Sequence, residues 1–153
     1  MPAILNKPVL QVNSQGAAVK ELQTLLQDYF LVTIDGIYGT STKFAVQQFQ
    51  KRMFLLEDGI VGDRTWRALF KKAPVDMPQL SVGYKGIEVA LMNLRLALNG
   101  FRRGTLSQEY TEFTKDSVIA FQKANVLSAD GIVGDRTWFA LSKLSRIEAE
   151  SAD

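Results

Sequence analysis

The sequence predicts an all-α protein made of two tandem three-helix modules, and three observations support this prediction. A nine-residue block, Asp-Gly-Ile-Val-Gly-Asp-Arg-Thr-Trp, occurs unchanged at residues 58–66 and 130–138. Apolar residues recur at the 3.6-residue spacing of helices in both copies, whereas no convincing strand alternation is present. The length of 153 residues suits two small domains.

The repeat sets the predicted domain boundaries. Its copies are offset by 72 residues at the nine-residue block and by 70 near their start, so repeat two gains two residues near Gly100–Gly104. Two prolines between the copies indicate a short, fairly stiff linker. We therefore predict an N-terminal extension (1–8), repeat one (9–73), a linker (74–79), repeat two (80–146) and a C-terminal tail (147–153).

Each repeat is predicted to contain three helices, because apolar residues follow three glycine-containing turns at helical spacing. In repeat one the predicted core residues are Val19, Leu22, Leu26 and Phe30, then Thr42, Ala45, Val46, Phe49 and Met53, then Trp66, Leu69 and Phe70. In repeat two they are Val89, Met92 and Leu96, then Val118, Phe121 and Val126, then Trp138, Leu141 and Leu144.

The Asp-Gly turns are predicted to start helices. Asp58 can accept a hydrogen bond from the backbone two residues later, and Asp63 can cap or open the next helix. Ile60 is predicted to point inward between the glycines. A second copy of this turn occupies residues 35–42, whereas residues 107–111 of repeat two have lost it.

Composition excludes several classes of protein. The chain has neither His nor Cys, so a Ser-His-Asp triad, a thiolate nucleophile and the usual zinc sites are excluded. We expect no cofactor and no bound metal. The net charge of +2 without a basic stripe predicts no nucleic-acid partner, and no apolar run is long enough to predict a membrane span.

The N-terminus does not predict a secretory signal, because it lacks a basic start followed by an apolar run. We expect a cytoplasmic protein, one that reaches the cell wall or periplasm by another route such as phage delivery, or one whose signal has been removed.

The motifs resemble those of the bacterial peptidoglycan-binding domain. The resemblance rests on Gly16, Val19, Leu22 and Gln23, on the two Asp-Gly turns, on Phe-Gln at the end of the middle helix, and on the Thr-Trp-x-Ala-Leu block. It covers nearly the whole chain, although Asn93 replaces the Gln in repeat two. The resemblance implies non-catalytic binding of cell-wall peptidoglycan by three-helix modules, with no catalytic residue to transfer.

Candidate binding residues cluster at the turns, where we expect shallow contacts with glycan or stem peptide. They are Tyr38, Gln50, Asp58 and Arg64 in repeat one, and Tyr110, Gln122, Asp130 and Arg136 in repeat two. Repeat one is the expected binder, because both of its turns are intact.

Several candidates have a structural alternative. The two tyrosines could meet a ligand at the surface. Gln50 and Gln122 are predicted to tie down the Asp-Gly turn in preference to touching a ligand. Arg64 and Arg136 could pair with a neighbouring Asp or recognise a carboxylate. Trp66 and Trp138 are predicted to fill the core in preference to stacking on sugars.

Enzymatic activity is not expected. A glycosidase needs two carboxylates facing each other across a cleft. Glu57 with Asp58, or Glu109 with Glu112, are the pairs to consider. No pair outside the turn motif recurs in both repeats, and modules this small leave little room for a deep cleft.

An extra apolar stripe in repeat two, formed by Leu91, Leu94 and Leu98, predicts a covered surface. We call it the leucine stripe. The leading prediction is packing between the repeats, and a homodimer or a protein partner is the alternative. The rival function is accordingly an intracellular protein-interaction module that uses this stripe. Exposure of the stripe favours this rival.

Overall fold

The computed structural model describes residues 6–101 and 107–144, and these form six α-helices. The helices of repeat one are α1 (Ala17–Leu26), α2 (Thr40–Arg52) and α3 (Asp63–Lys71). Those of repeat two are α4 (Ile87–Leu98), α5 (Glu112–Ala124) and α6 (Asp135–Ser142). The prediction of three helices per repeat is confirmed.

The chain divides into two compact units, Met1–Val75 and Asp76–Asp153. The division falls inside the predicted linker 74–79. The linker residues nevertheless pack on their own units: Pro74 and Val75 are buried, and Val75 belongs to the core of repeat one. The carbonyl of Pro78 accepts a hydrogen bond from the indole N–H of Trp138 within repeat two.

Residues 102–104, where the second repeat is predicted to be longer, lie outside the described residues.

Each unit is tied together by two isolated antiparallel bridges. They join Leu10 to Val61 and Gln15 to Ile37 in repeat one, and Leu80 to Val133 and Lys85 to Glu109 in repeat two. The segment before the first helix thereby pairs with both later turns. In the part of the chain that the structure describes, no strand extends beyond these single bridges.

The predicted helical faces form the cores. Val19, Leu22 and Leu26 of α1 are fully buried with Val46 and Phe49 of α2. The equivalent positions in repeat two are also buried and are occupied by Val89, Met92, Leu96, Val118 and Phe121. The third helices contribute buried Trp66 and Leu69 in repeat one, and Trp138 and Leu141 in repeat two.

Four predicted core positions deviate. Three of them follow the last residue of their helix, and one of these three is Leu144, which is half-buried after α6. Phe30 follows the end of α1 and is half-buried. Val126 follows the end of α5, adopts a left-handed φ of 57° and is 94% exposed. Phe70, on the outer side of α3, is 42% exposed and stacks on Trp66 at 6.0 Å between ring centroids.

The inward residue of the Asp-Gly turn is Val61, so the prediction that Ile60 points inward is wrong. Val61 is fully buried, whereas Ile60 is 39% exposed. The reason is the bridge to Leu10, because adjacent residues of an extended segment point to opposite sides. The same alternation buries Val133 and exposes Ile132 in repeat two.

The two glycines of one turn should respond differently to substitution. Gly59 has a φ of +70°, and a Cβ there would lie 2.9 Å from Cγ of Lys43. At Gly62, φ is −101° and a Cβ would meet nothing within 4 Å. We expect Gly59→Ala to cost about 1–2 kcal/mol of unfolding free energy. Gly62→Ala should cost about 0.5 kcal/mol or less.

Urea unfolding of the two single variants, followed by circular dichroism, measures this difference. Equal midpoints for the two variants would contradict the assignment of backbone strain to Gly59.

Candidate functional site

A buried glutamine organises each intact Asp-Gly turn. Gln50, which is 1% exposed, places its amide nitrogen 3.1 Å from Oδ1 of Asp58, 3.0 Å from the carbonyl of Ile60 and 3.2 Å from the hydroxyl of Thr65. Its amide oxygen accepts the N–H of Gly59 at 3.0 Å. One side chain thus joins the end of α2 to the turn and to the first turn of α3. We call this arrangement the glutamine staple.

The staple occurs three times in the described residues. Gln122 makes the same four contacts around the turn that begins at Asp130. Gln23 does so around the turn that begins at Asp35, and its oxygen also accepts the N–H of Asp35. The prediction that Gln50 and Gln122 tie down the Asp-Gly turns is confirmed, and their burial leaves little of either side chain for a ligand.

The first turn of repeat two keeps only part of this arrangement. Asn93, the counterpart of Gln23, donates to the carbonyl of Ser107 at 3.0 Å, and its buried Oδ1 has no described partner. The asparagine side chain is one methylene shorter than glutamine. The hydroxyl of Ser107 replaces the missing carboxylate by accepting the N–H of Glu109 at 3.0 Å. Thr111 and Thr114 then cap α5 through a reciprocal capping box.

The aspartates hold their turns as predicted. Oδ1 of Asp58 accepts the N–H of Ile60 at 2.9 Å, and Asp130 makes the same bond to Ile132. At Asp35, hydrogen bonds from the Ile37 N–H and the Gln23 amide hold the pKa of the carboxyl below its usual 3.8. Asp63 lies in the first turn of α3, as predicted, and pairs with Arg67 at 2.7 Å.

Tyr38 and Tyr110 are buried, so the prediction that they contact a ligand at the surface is wrong. Each side chain is 1% exposed. The Tyr38 hydroxyl donates to the carbonyl of Gly59, and the Tyr110 hydroxyl donates to that of Gly131 at 2.6 Å. Each tyrosine therefore connects the first turn of its repeat to the second.

Alkaline pH should unfold the protein through these tyrosines. Burial, with a smaller contribution from the charge of Asp58 or Asp130, raises the pKa of Tyr38 and Tyr110 well above the usual 10.0. The neutral phenol is therefore favoured in the folded state, and stability falls as the pH rises above 10.0, the value in the unfolded chain.

We expect the phenolate absorbance of Tyr38 and Tyr110 at about 295 nm to appear together with the loss of helical circular dichroism. A Tyr38→Phe, Tyr110→Phe chain is the control that lacks this absorbance step. Ionisation of both tyrosines in a chain that keeps its helices would contradict the burial argument.

Trp66 and Trp138 are core residues, as predicted. Each is 1% exposed. Their indole N–H groups donate to the carbonyls of Pro8 and Pro78, both at 2.8 Å. In each repeat, the tryptophan therefore fixes the chain segment that leads into the module.

The two arginines of the repeated block lie at the surface beside their turns. A guanidinium nitrogen of Arg64 donates to the carbonyl of Val75 at 3.3 Å. Arg136, at the same position of repeat two, makes no hydrogen bond or ion pair with a described residue. Carboxylate recognition by either arginine stays a prediction.

A groove lies beside each intact Asp-Gly turn. The grooves next to Asp35, Asp58 and Asp130 have volumes of 440, 200 and 520 Å³, respectively. The turn aspartate, the isoleucine two residues later, a glycine and the first turn of the following helix line all three.

Sequence reasoning missed the most exposed apolar residues of these grooves. Leu31, Leu56 and Val126 line one groove each and are 105%, 80% and 94% exposed. Each precedes its turn aspartate by two to four residues, which is the only signal that the sequence offered. Large aliphatic side chains in water are common singly, but here each of the three grooves has one.

The leucine stripe is partly accessible. Leu91 is 37% exposed, and Leu94 and Leu98 are half-buried. Its exposure favours a surface contact, and packing between the repeats stays a prediction.

Two further findings concern the described residues. No helix among them is long and apolar enough to span a bilayer. They also contain no cluster of three acidic side chains that could hold a metal ion.

Comparison with known proteins gives matches in both repeats. The family model for a peptidoglycan binding domain matches residues 15–69 and 85–141. The chain is 36% identical over 107 residues to the N-acetylmuramoyl-L-alanine amidase CwlM of Mycobacterium tuberculosis, a match that covers 66% of this chain and 26% of the amidase. It is 43% identical over 68 residues to the spore cortex-lytic enzyme of Bacillus subtilis, covering 42% of this chain and 22% of the enzyme.

Among solved structures, the SleB N-terminal domain is 33% identical, with a TM-score of 0.42; the match covers 46% of this chain and 97% of that domain. The chain thus corresponds to about a quarter of the length of the two enzymes named above.

Proposed function

Because the chain belongs to the peptidoglycan binding domain family, with one family match in each half, we propose that it binds bacterial cell-wall peptidoglycan without cleaving it. The observation that carries the proposal is the groove that accompanies every intact Asp-Gly turn. Contact is made at these grooves through exposed aliphatic side chains, the turn carboxylate and polar groups of the following helix.

The composition of the grooves suits this ligand. Binding sites combine apolar contact with a few fixed polar groups. Peptidoglycan offers methyl and acetyl groups, amides and carboxylates along one polymer. The glutamine staples hold the groove walls in place before binding, and such preorganisation reduces the entropy lost on association.

The non-catalytic part of the proposal is supported by what the turn carboxylates do. Asp35 is held in its ionised form by hydrogen bonds, whereas a general acid must carry a proton at working pH. Asp58 and Asp130 use Oδ1 to close their turns. The two enzymes named above extend far beyond the segments that match this chain, so their activity is consistent with a catalytic part elsewhere in those proteins.

The direct test is cosedimentation with purified, protein-free sacculi at low salt and at about 0.5 M salt, where exposed charges are screened. We expect retention at both salt concentrations, because apolar contacts contribute to the grooves. Protein that stays in the supernatant at both concentrations would contradict peptidoglycan binding. Prolonged incubation should release no soluble muropeptides, and their release would contradict the non-catalytic proposal.

The partial exposure of Leu91 favours a second candidate, a protein-interaction module that uses the leucine stripe. Leu91→Ser should leave retention on sacculi unchanged if the grooves are the contact surface. Analytical ultracentrifugation of the same variant shows whether the stripe mediates self-association.

A further inference from the structure

The groove in repeat two presents a cation and an anion to the same space. Asp130, Asp135 and Arg136 all line it. The groove beside Asp58 has the same pair, Asp58 and Arg64, whereas the groove beside Asp35 has Ser41 at the position of the arginine. Among the three grooves, the one in repeat two is also the largest, at 520 Å³. Its charges therefore suit a ligand that carries both signs.

Asp130 has one carboxylate oxygen available to a ligand. Oδ1 accepts the Ile132 N–H at 2.9 Å and lies 3.2 Å from the Gln122 amide nitrogen, which fixes the orientation of the carboxylate. Oδ2 has no partner among the described residues, and the side chain is exposed. The staple thus holds a charged acceptor in place at the groove wall.

Arg136 has no described structural partner that accounts for its position. It is the second residue of α6, where the helix dipole disfavours a cation. In repeat one, Arg64 of the identical block donates to the carbonyl of Val75. The counterpart of Val75 in repeat two is residue 147, which lies outside the described residues. Arg136 is exposed and makes no hydrogen bond or ion pair with a described residue, so its guanidinium can offer its paired N–H groups to a carboxylate.

The groove also has apolar walls. Val126 is 94% exposed and has a left-handed φ of 57°, which is unfavourable for a β-branched residue. Ile132 is 38% exposed. Together they provide a place for a short aliphatic stem beside the two charges.

We infer that this groove binds an amino-acid head group, in which an ammonium and a carboxylate are attached to the same carbon. Oδ2 of Asp130 accepts from the ammonium, Arg136 donates to the carboxylate, and Val126 and Ile132 contact the aliphatic stem. In peptidoglycan, this head group is the free side-chain end of a diaminopimelate residue. The inference rests on the proposed function, and it assigns the specific contact to repeat two although repeat one has both turns intact.

The test is an NMR titration of the full ¹⁵N-labelled chain with three soluble disaccharide tripeptides. The first contains diaminopimelate, the second the same residue with its side-chain carboxyl amidated, and the third lysine. We expect the first to shift the amide signals of Gly134 and Arg136. Amidation, or replacement by lysine, should weaken binding roughly tenfold or more, because a charge-assisted pair is lost.

Single substitutions test which residues of the groove contact the diaminopimelate peptide. Arg136→Ala should weaken binding of the diaminopimelate peptide roughly tenfold or more and abolish the discrimination against the amidated form. Asp130→Asn keeps an oxygen that can close the turn and should weaken binding through loss of the charge. Lys123→Ala, which removes an exposed cation of repeat two outside the groove, should leave both the affinity and the discrimination unchanged.

Two results of the titration would overturn the inference: equal affinity for the diaminopimelate and amidated peptides, or an unchanged affinity in Arg136→Ala. Retention of the chain on sacculi would then leave the proposed function intact. Loss of retention together with an absence of shifts would overturn both.

Discussion

Replacing Trp66 with alanine should lower the unfolding free energy of repeat one by about 3–5 kcal/mol, as expected for removal of a large buried aromatic side chain. The indole is 1% exposed and donates to the carbonyl of Pro8, 58 residues earlier in the chain. The substitution therefore opens a cavity and also releases the segment that leads into α1.

Two control variants separate these contributions. Phe70→Ala removes an aromatic ring from the same helix, but this ring is 42% exposed, so we expect a loss of about 1 kcal/mol or less. Trp66→Phe keeps much of the apolar contact and loses the bond to Pro8, which should give an intermediate effect. Urea unfolding measures all three variants, and equal losses for Trp66→Ala and Phe70→Ala would contradict the assigned packing.

Replacing Gln50 with alanine should cost about 2–4 kcal/mol, because it removes a buried side chain and leaves polar groups of the turn without partners. The Gln50 amide holds Asp58, Gly59, Ile60 and Thr65 by hydrogen bonds that alanine cannot make. We expect the neighbouring groove to change shape as well, because residues of the same turn line it.

Gln47 provides the matched control in the same helix. Its amide donates to the carbonyl of Glu57 at 3.3 Å in an exposed position, so Gln47→Ala should cost about 0.5 kcal/mol or less. Thermal unfolding followed by circular dichroism compares the two. A Gln50→Ala chain as stable as the Gln47→Ala chain would show that the staple contributes little to folding.

The helices and the repeat could be predicted because both are local in the sequence. A helical face repeats every three to four residues, and a duplicated block is visible without a structure. The role of Gln50 could also be predicted, since it follows a core phenylalanine and precedes an Asp-Gly turn by eight residues. Helix ends were less predictable, as Val126 shows, because the apolar pattern continues past the last helical residue.

The errors concern contacts between residues that are distant in the chain. Val61 points inward because it pairs with Leu10, and nothing near residue 61 indicates this pairing. Tyr38 can be buried because its hydroxyl donates a hydrogen bond to the carbonyl of Gly59, 21 residues later. A tyrosine in a polar turn offers no local sign of such a partner.

The grooves could not be predicted for a related reason. Each one forms where the loop before a turn meets the start of the next helix, so its apolar member looks like an ordinary loop residue in the sequence. Only the structure shows that Leu31 lines one groove with Ile37 and that Leu56 lines another with Ile60.

The most direct test of groove-mediated binding compares two triple variants in the sacculus assay. Leu31→Ser, Leu56→Ser, Val126→Ser changes one exposed aliphatic residue in each groove. Val9→Ser, Phe44→Ser, Phe113→Ser changes three residues outside the grooves that are 61%, 64% and 57% exposed. We expect the groove variant to bind sacculi on the order of tenfold more weakly, because it presents less apolar area to the ligand, and the control to bind as the unchanged chain does. Equal retention of both variants, each with its helical circular dichroism intact, would contradict binding through the grooves.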